Sequence, residues 1–184
     1  MKILKAIEKI SDGWIKKYKF SYLVDGNPYN YEVVSRNEIK DKDSLPDTVN
    51  AVTIIPFTES GDLIITKEFR YPVNDYVWEF PAGLIDRDET ETEAAIRELK
   101  EETGLDVIEI LQVIPGGYSS IGMTDEKVSV VICKVSGEVK GASGLEEIHV
   151  FKKSIEEVNS LILNRKMKVS GRMQLFLAGL NFRK

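Results

Sequence analysis

Residues 90–104 define one helix at both ends. Thr90 with Glu93 three positions on is a capping-box pattern, and Gly104 is the residue type that most readily ends a helix in the left-handed conformation. The helix this predicts, over 91–103, concentrates acid on one side. At about 100° per residue, Glu98, Glu101 and Glu102 fall at i, i+3 and i+4, on one face within a single turn. Ala95, Ile96 and Leu99 point largely elsewhere, toward a core. Like charges at this spacing cost a helix roughly 0.2–0.5 kcal/mol per pair, so the helix itself gains nothing from them. Two readings compete. Acidic runs on helices are commonly solvated faces. Alternatively, the carboxylates hold a hard divalent cation such as Mg²⁺, which prefers carboxylate oxygens and is shared with substrate phosphates. Arg97, one position before Glu98 and four before Glu101, is placed to brace a carboxylate through a bidentate pair.

Composition narrows the surroundings of that helix. A chain of 184 residues fits one domain, or one domain plus a small appendage. Its 25 basic and 30 acidic residues leave a net charge of −5, which argues against nucleic acid held by a broad basic field. A nucleotide, needing only a local basic group, is not excluded. Cys133 is the single cysteine and His149 the single histidine, so no intrachain disulfide, cysteine zinc cluster or His–His site can form. A lone histidine in the strand-like run 148–151 is assigned no role. No run of 18 apolar residues predicts a membrane span, and charges break the first nine residues too often for a signal peptide. The expected location is a reducing one, the cytoplasm.

The remaining elements read as follows. Trp14, Tyr18, Phe20, Tyr22 and Val24 share one parity, and Tyr29, Tyr31 and Val33 alternate after Asp25-Gly26-Asn27-Pro28. This predicts a hairpin over 14–24 and 29–35. The polar stretch 36–48 reads as a linker, which separates an N-terminal β unit, 1–48, from a main domain, 49–184. Strands are predicted at 50–57, 62–69, 107–114 and 127–135, and helices at 154–164 and 170–182. Residues 71–83, with two prolines and a glycine, read as a loop. Strand runs with dispersed helices indicate an α/β or α+β fold, not a bundle or a β-sandwich.

The helix and its flanks carry a spaced pattern. Gly83, Glu89, Arg97, Glu98, Leu99, Glu101, Glu102, Gly104 and Leu105 follow G-x5-E-x7-R-E-U-x-E-E-x-G-U, where U is a bulky aliphatic. Residues 83–105 resemble the Nudix box at every defined position. The resemblance implies a Nudix hydrolase: an α/β/α sandwich on a mixed sheet, whose box forms a loop–helix–loop. It implies cleavage of a nucleoside diphosphate linked to a group X, with two or three Mg²⁺ or Mn²⁺ ions. On this resemblance Glu98, Glu102 and the main-chain carbonyl of Ala82 ligate metal, Glu101 assists, and Arg97 orients a glutamate. Gly83 allows a tight entry turn.

Glu68-Phe69-Arg70-Tyr71-Pro72 and Trp78-Glu79-Phe80-Pro81-Ala82-Gly83 extend the resemblance, over about 13–182, to the ADP-ribose pyrophosphatase subgroup. That likeness implies a homodimer that exchanges N-terminal β units. It implies that Arg70 contacts the diphosphate, Trp14 and Tyr31 stack the adenine, and Arg36 lies near the phosphates. Guanidinium suits phosphate oxygens, and a stacked base can gain about 1–3 kcal/mol, although aromatics in hairpins also serve cross-strand packing. The likeness also implies a glutamate from a mobile loop as general base or extra metal ligand, here Glu146 after Gly141-Ala142-Ser143-Gly144. The subgroup usually has a proline 16 residues past the box, where this chain has Ile121. Apart from that departure, the resemblance implies metal-assisted hydrolysis of ADP-ribose to AMP and ribose 5-phosphate. Alternatives are a GDP-mannose-type sugar-nucleotide pyrophosphatase, a nucleotide-sensing module without turnover, and an acidic domain that binds only divalent ions.

Overall fold

The computed structural model describes residues 1–142 and 147–182. The chain divides into two compact units, one of residues 1–50 with 116–128, the other of 51–115 with 129–184. In the first unit, β1 (Lys2–Ser11), β2 (Lys16–Val24) and β3 (Asn27–Ser35) form an antiparallel sheet in that order. Asp25 and Gly26, both at positive φ, make the two-residue turn joining β2 and β3. This backbone matches the twist of the flanking strands, and a small polar residue followed by glycine suits it. Tyr18 and Phe20 are buried there with Ile39. The Tyr18 hydroxyl donates to Asn37 O and accepts from Ile39 N–H, each at 3.0 Å. A stretch that reads as plain linker thus supplies a core residue. β1 is hidden in the sequence, because lysines and glutamate interrupt its apolar pattern. It is an edge strand, where charge discourages pairing with other chains.

The second unit is built on a seven-stranded sheet. Its main path runs β10 (Ile148–Lys153), β5 (Leu63–Arg70), β4 (Ala51–Phe57), β9 (Lys127–Ser136), β8 (Asp106–Tyr118). Asn50 N donates to Lys127 O at 2.9 Å, so the neighbours β4 and β9 start together and run parallel. The β10–β5 and β4–β5 pairs are antiparallel, which makes the sheet mixed. Two short strands lie off this path: β6 (Asp75–Glu79) pairs with β5, and β7 (Ala82–Leu84) pairs with β4.

These two strands correct the reading of 71–83 as a loop. Pro72 sits in a one-turn 3-10 segment, Tyr71–Val73, which ends at Asn74 in the left-handed region. Pro81 follows β6. The prolines therefore bracket the β-forming run Tyr76-Val77-Trp78 instead of interrupting it, which is where prolines are tolerated in sheets.

Strand alternation divides the core. Val52, Ile54, Ile64, Val131, Cys133 and Val135 face α1 (Glu91–Thr103) and pack on its Ala94, Ala95 and Leu99. Ile55, Leu63, Ile65 and Phe80 face α2 (Ile155–Leu163) and α3 (Gly171–Asn181), through Val158, Met173 and Leu177. The result is the expected α/β/α sandwich. Among the described residues, no helix is long and apolar enough to cross a membrane.

Candidate active site

α1 is fixed at both ends as its sequence requires. Thr90 and Glu93 close the capping box, and Gly104 ends the helix at φ 73° with its N–H on Lys100 O. With Ala94, Ala95 and Leu99 against the sheet, the helix lays Glu98 on β7. A Cβ built on Gly83 would stand 1.9 Å from Glu98 Cδ. Gly83 sits in a strand opposite Val52 and is not at positive φ. Its lack of a side chain thus serves the close approach of Glu98, not the tight turn that the resemblance implies.

Arg97 ties the helix to the segment before it. Its Nε and NH2 donate to the two carboxylate oxygens of Glu89, both at 2.8 Å, and NH2 also donates to Leu84 O at 3.0 Å. NH1 lies 2.9 Å from Glu98 Oε1 and 3.3 Å from Glu101 Oε2. Glu89 accepts in addition from Asp86 N–H at 3.0 Å. The Arg97 bond, then the Asp86 N–H, hold its carboxyl down at about 2.

The three glutamates of one face differ in surroundings. Glu101 has a side chain 60% exposed and meets Arg97. Glu98 is mostly buried between Arg97 and Gly83. Glu102 is only 7% exposed. Burial, then the charges of Glu68 and Glu98, push its carboxyl up to about 9; the Ala82 N–H and the charge of Arg70 pull the other way. One turn of helix thus presents a solvated, a braced and a buried carboxylate.

A second charged group comes from β5 and β6. On β5, Ile64, Thr66, Glu68 and Arg70 share the α1-facing parity. Thr66 pairs with Glu79 of β6, so Glu79 shares that face. Arg70 Nε donates to Glu79 at 2.7 Å, and its NH1 lies 2.9 Å from Glu68. Glu68 is buried, and its charge, with that of Glu98, acts on Glu102. Sequence reading assigned Glu68 and Glu79 no role. Glu68 was legible by parity, two residues before Arg70. Glu79 is hidden in the sequence because prolines flank its strand on both sides.

Ala82, Arg97, Glu98, Glu101, Glu102 and Arg70 are therefore brought together within the second unit. Trp14, Tyr31 and Arg36 belong to the first. There Trp14 lies between β1 and β2 and is 73% exposed. The Tyr31 hydroxyl donates to Gly122 O, and Arg36 is paired with Glu126. Ile121, where the subgroup has proline, is exposed in the same unit. Glu146 lies outside the described residues. His149 meets Glu147 at 3.1 Å on the surface.

The donor set suits a hard divalent cation. It consists of carboxylate and main-chain oxygens only, and the buried Glu102 lies among negative neighbours that a cation would neutralise. Among the described residues, no three acidic, histidine or cysteine side chains by themselves form a metal-holding group. A site of this kind draws its other oxygens from the main chain and from substrate phosphates.

Residues 47–170 match the NUDIX domain. An ADP-sugar pyrophosphatase of Mus musculus is 33% identical over 137 residues, 73% of this chain and 62% of that protein. An ADP-ribose pyrophosphatase of Bacillus subtilis is 30% identical over 120 residues, 64% of each. This chain thus spans a little under two thirds of the length of these curated relatives. A crystal structure described as an ADP compounds hydrolase superposes with a TM-score of 0.75 at 21% identity, covering 99% of this chain and 94% of that one. It shares the fold.

Proposed function

Since the chain belongs to the Nudix family, we propose that it is a divalent-metal-dependent hydrolase of a nucleoside diphosphate linked to X, with ADP-ribose as substrate. The observation that carries this reading is the junction of α1 and β7, where Glu98 rests on Gly83 and Glu102 takes the Ala82 N–H. The names of the mouse and B. subtilis relatives support the substrate class.

In this reading Glu98, Glu102 and the carbonyl of Ala82 hold Mg²⁺, or Mn²⁺, as two or three ions. Bound there, the metal supplies positive charge against phosphate oxygens and a lowered pKa for the attacking water. Arg97 keeps Glu98 in place through its own bonds to Glu89 and Leu84 O. Arg70 receives a phosphate of the diphosphate. The proton leaving the water goes to a carboxylate, Glu101 or Glu146. Water attacks one phosphorus, the bridging P–O bond breaks, and AMP and ribose 5-phosphate leave.

Residues 1–48 serve in this reading as the dimerising unit and 49–184 as the hydrolase domain. Trp14 and Tyr31 stack the base and Arg36 lies near the phosphates; the exposed ring of Trp14 supports the stacking role. The enzyme works in the cytoplasm.

The test is hydrolysis with Mg²⁺ of ADP-ribose, GDP-mannose, NADH and diadenosine polyphosphates, read by product identity. Faster cleavage of ADP-ribose than of the rest, giving AMP and ribose 5-phosphate, is expected. Preference for GDP-mannose reassigns the pocket, and binding without product makes the chain a nucleotide sensor. Light scattering tests the dimer, and a clean monomer removes the basis for a shared base site.

A further inference from the structure

We propose that Glu79, with Glu68, is a positioning residue for Arg70: the two carboxylates draw the guanidinium back over the sheet toward α1 and so present it to the substrate diphosphate. This rests on the reading of Arg70 as the phosphate contact.

Arg70 is the last residue of β5, and an unrestrained arginine there extends past the strand end into water. The structure shows the opposite. Glu79 stands across from Thr66, four residues back along β5, yet it accepts from Arg70 Nε at 2.7 Å. NH1 meets Glu68, two residues back, at 2.9 Å. The side chain thus lies backward along its own strand, on the face that carries Glu102. Among the described residues, the guanidinium donates no other hydrogen bond, so its NH2 group remains for an anion. The planar fork suits this use, since fixing one edge orients the other.

Charge alone predicts the reverse of positioning. Glu79 and Glu68 surround Arg70 with negative charge, so removing one would strengthen phosphate binding if field were all that mattered. If Glu79 instead holds Arg70 in place, removing it weakens binding despite the loss of a negative charge. The sign of one effect therefore separates the two.

The experiment measures KM and kcat for ADP-ribose in wild type, Glu79→Ala, Glu79→Gln, Arg70→Ala and the Arg70→Ala/Glu79→Ala pair. Glu79→Ala is expected to raise KM roughly ten- to hundredfold, the worth of a hydrogen bond to a charged group, with kcat changed less. Glu79→Gln keeps an acceptor for Nε and recovers most of the loss. The double variant is no worse than Arg70→Ala alone, because two residues acting through one contact are not additive. An unchanged or lowered KM in Glu79→Ala, or additivity in the pair, overturns the proposal. If Glu79→Ala does not fold, Glu68→Gln and Glu79→Gln are read by the same cycle. A wild type that hydrolyses nothing sinks the proposed function instead. The cycle is then read as the Kd of ADP-ribose, where additivity again overturns the positioning role.

Discussion

The two faces of the main sheet are built from the same strands and differ in what they bury. Toward α2 and α3, the packed residues Ile55, Leu63, Ile65, Phe80, Val158, Met173 and Leu177 are apolar. Toward α1, the face is apolar at Val52, Ile54 and Val131 but changes along β5, from Ile64 through Thr66 to Glu68 and Arg70. One layer holds the fold; the other gives up part of its core to charge. Buried carboxylates destabilise a fold unless paired, and Arg97 and Arg70 each engage two or more of them. The opposite face packs a continuous apolar cluster that holds no carboxylate.

That division can be broken at several points. Glu98→Gln should reduce turnover at least roughly a hundredfold, several kcal/mol of transition-state stabilisation, while thermal melting stays near wild type. Leu177→Ala should do the reverse, lowering stability by about 2–5 kcal/mol in urea titration and leaving kcat within about twofold. If it cuts kcat as deeply as Glu98→Gln, the two layers are not separable.

Glu102→Gln should abolish the proposed hydrolysis and yet stabilise the metal-free chain. The Glu102 carboxyl stands at about 9 in the fold, against an ordinary 4.5. Below pH 4.5 both folded and unfolded chains hold the proton and nothing is lost. Above it, the unfolded chain releases the proton while the folded chain retains it, so wild-type stability declines with rising pH up to about 9. At pH 7 this amounts to roughly 3 kcal/mol. Urea melts in EDTA at pH 5 and pH 8 should show the variant's advantage growing with pH; a constant difference would refute it.

The smallest effect belongs to Glu89, whose carboxyl is held at about 2 by Arg97. Its contribution is present above pH 4.5 and fades as pH falls toward 2. The melting difference between wild type and Glu89→Gln should be clear at pH 7 and shrink at pH 2.5.

The site helix was legible because its signals are local. Thr90, Glu93 and Gly104 define a helix within one stretch of chain, and periodicity separates Leu99 from Glu98 and Glu102. The strand over 62–69 is legible in the same way, and the structure puts its Ile64 and Leu63 on opposite faces. What could not be read was long-range. Glu102 and Glu101 look alike in sequence, and only the packing of α1 on the sheet buries one and leaves the other in water. Gly83 looked like a turn glycine until a carboxylate proved to occupy the space of its missing side chain. Glu79 needed its strand recognised first, and two flanking prolines obscured it. Ile39 lies in a polar stretch whose packing on Tyr18 depends on a partner 21 residues away.

Cys133 lies among the residues packed under α1, and burial pushes its thiol up to about 12. At neutral pH it is an unreactive group in a closed place. A thiol reagent reaches it only when that layer opens, by local or global unfolding. Because the chain has one cysteine, each labelled molecule records one opening event. The protein thus carries a built-in counter of how often the packing around Cys133 opens, and nucleotide or metal that holds α1 to the sheet should slow the count.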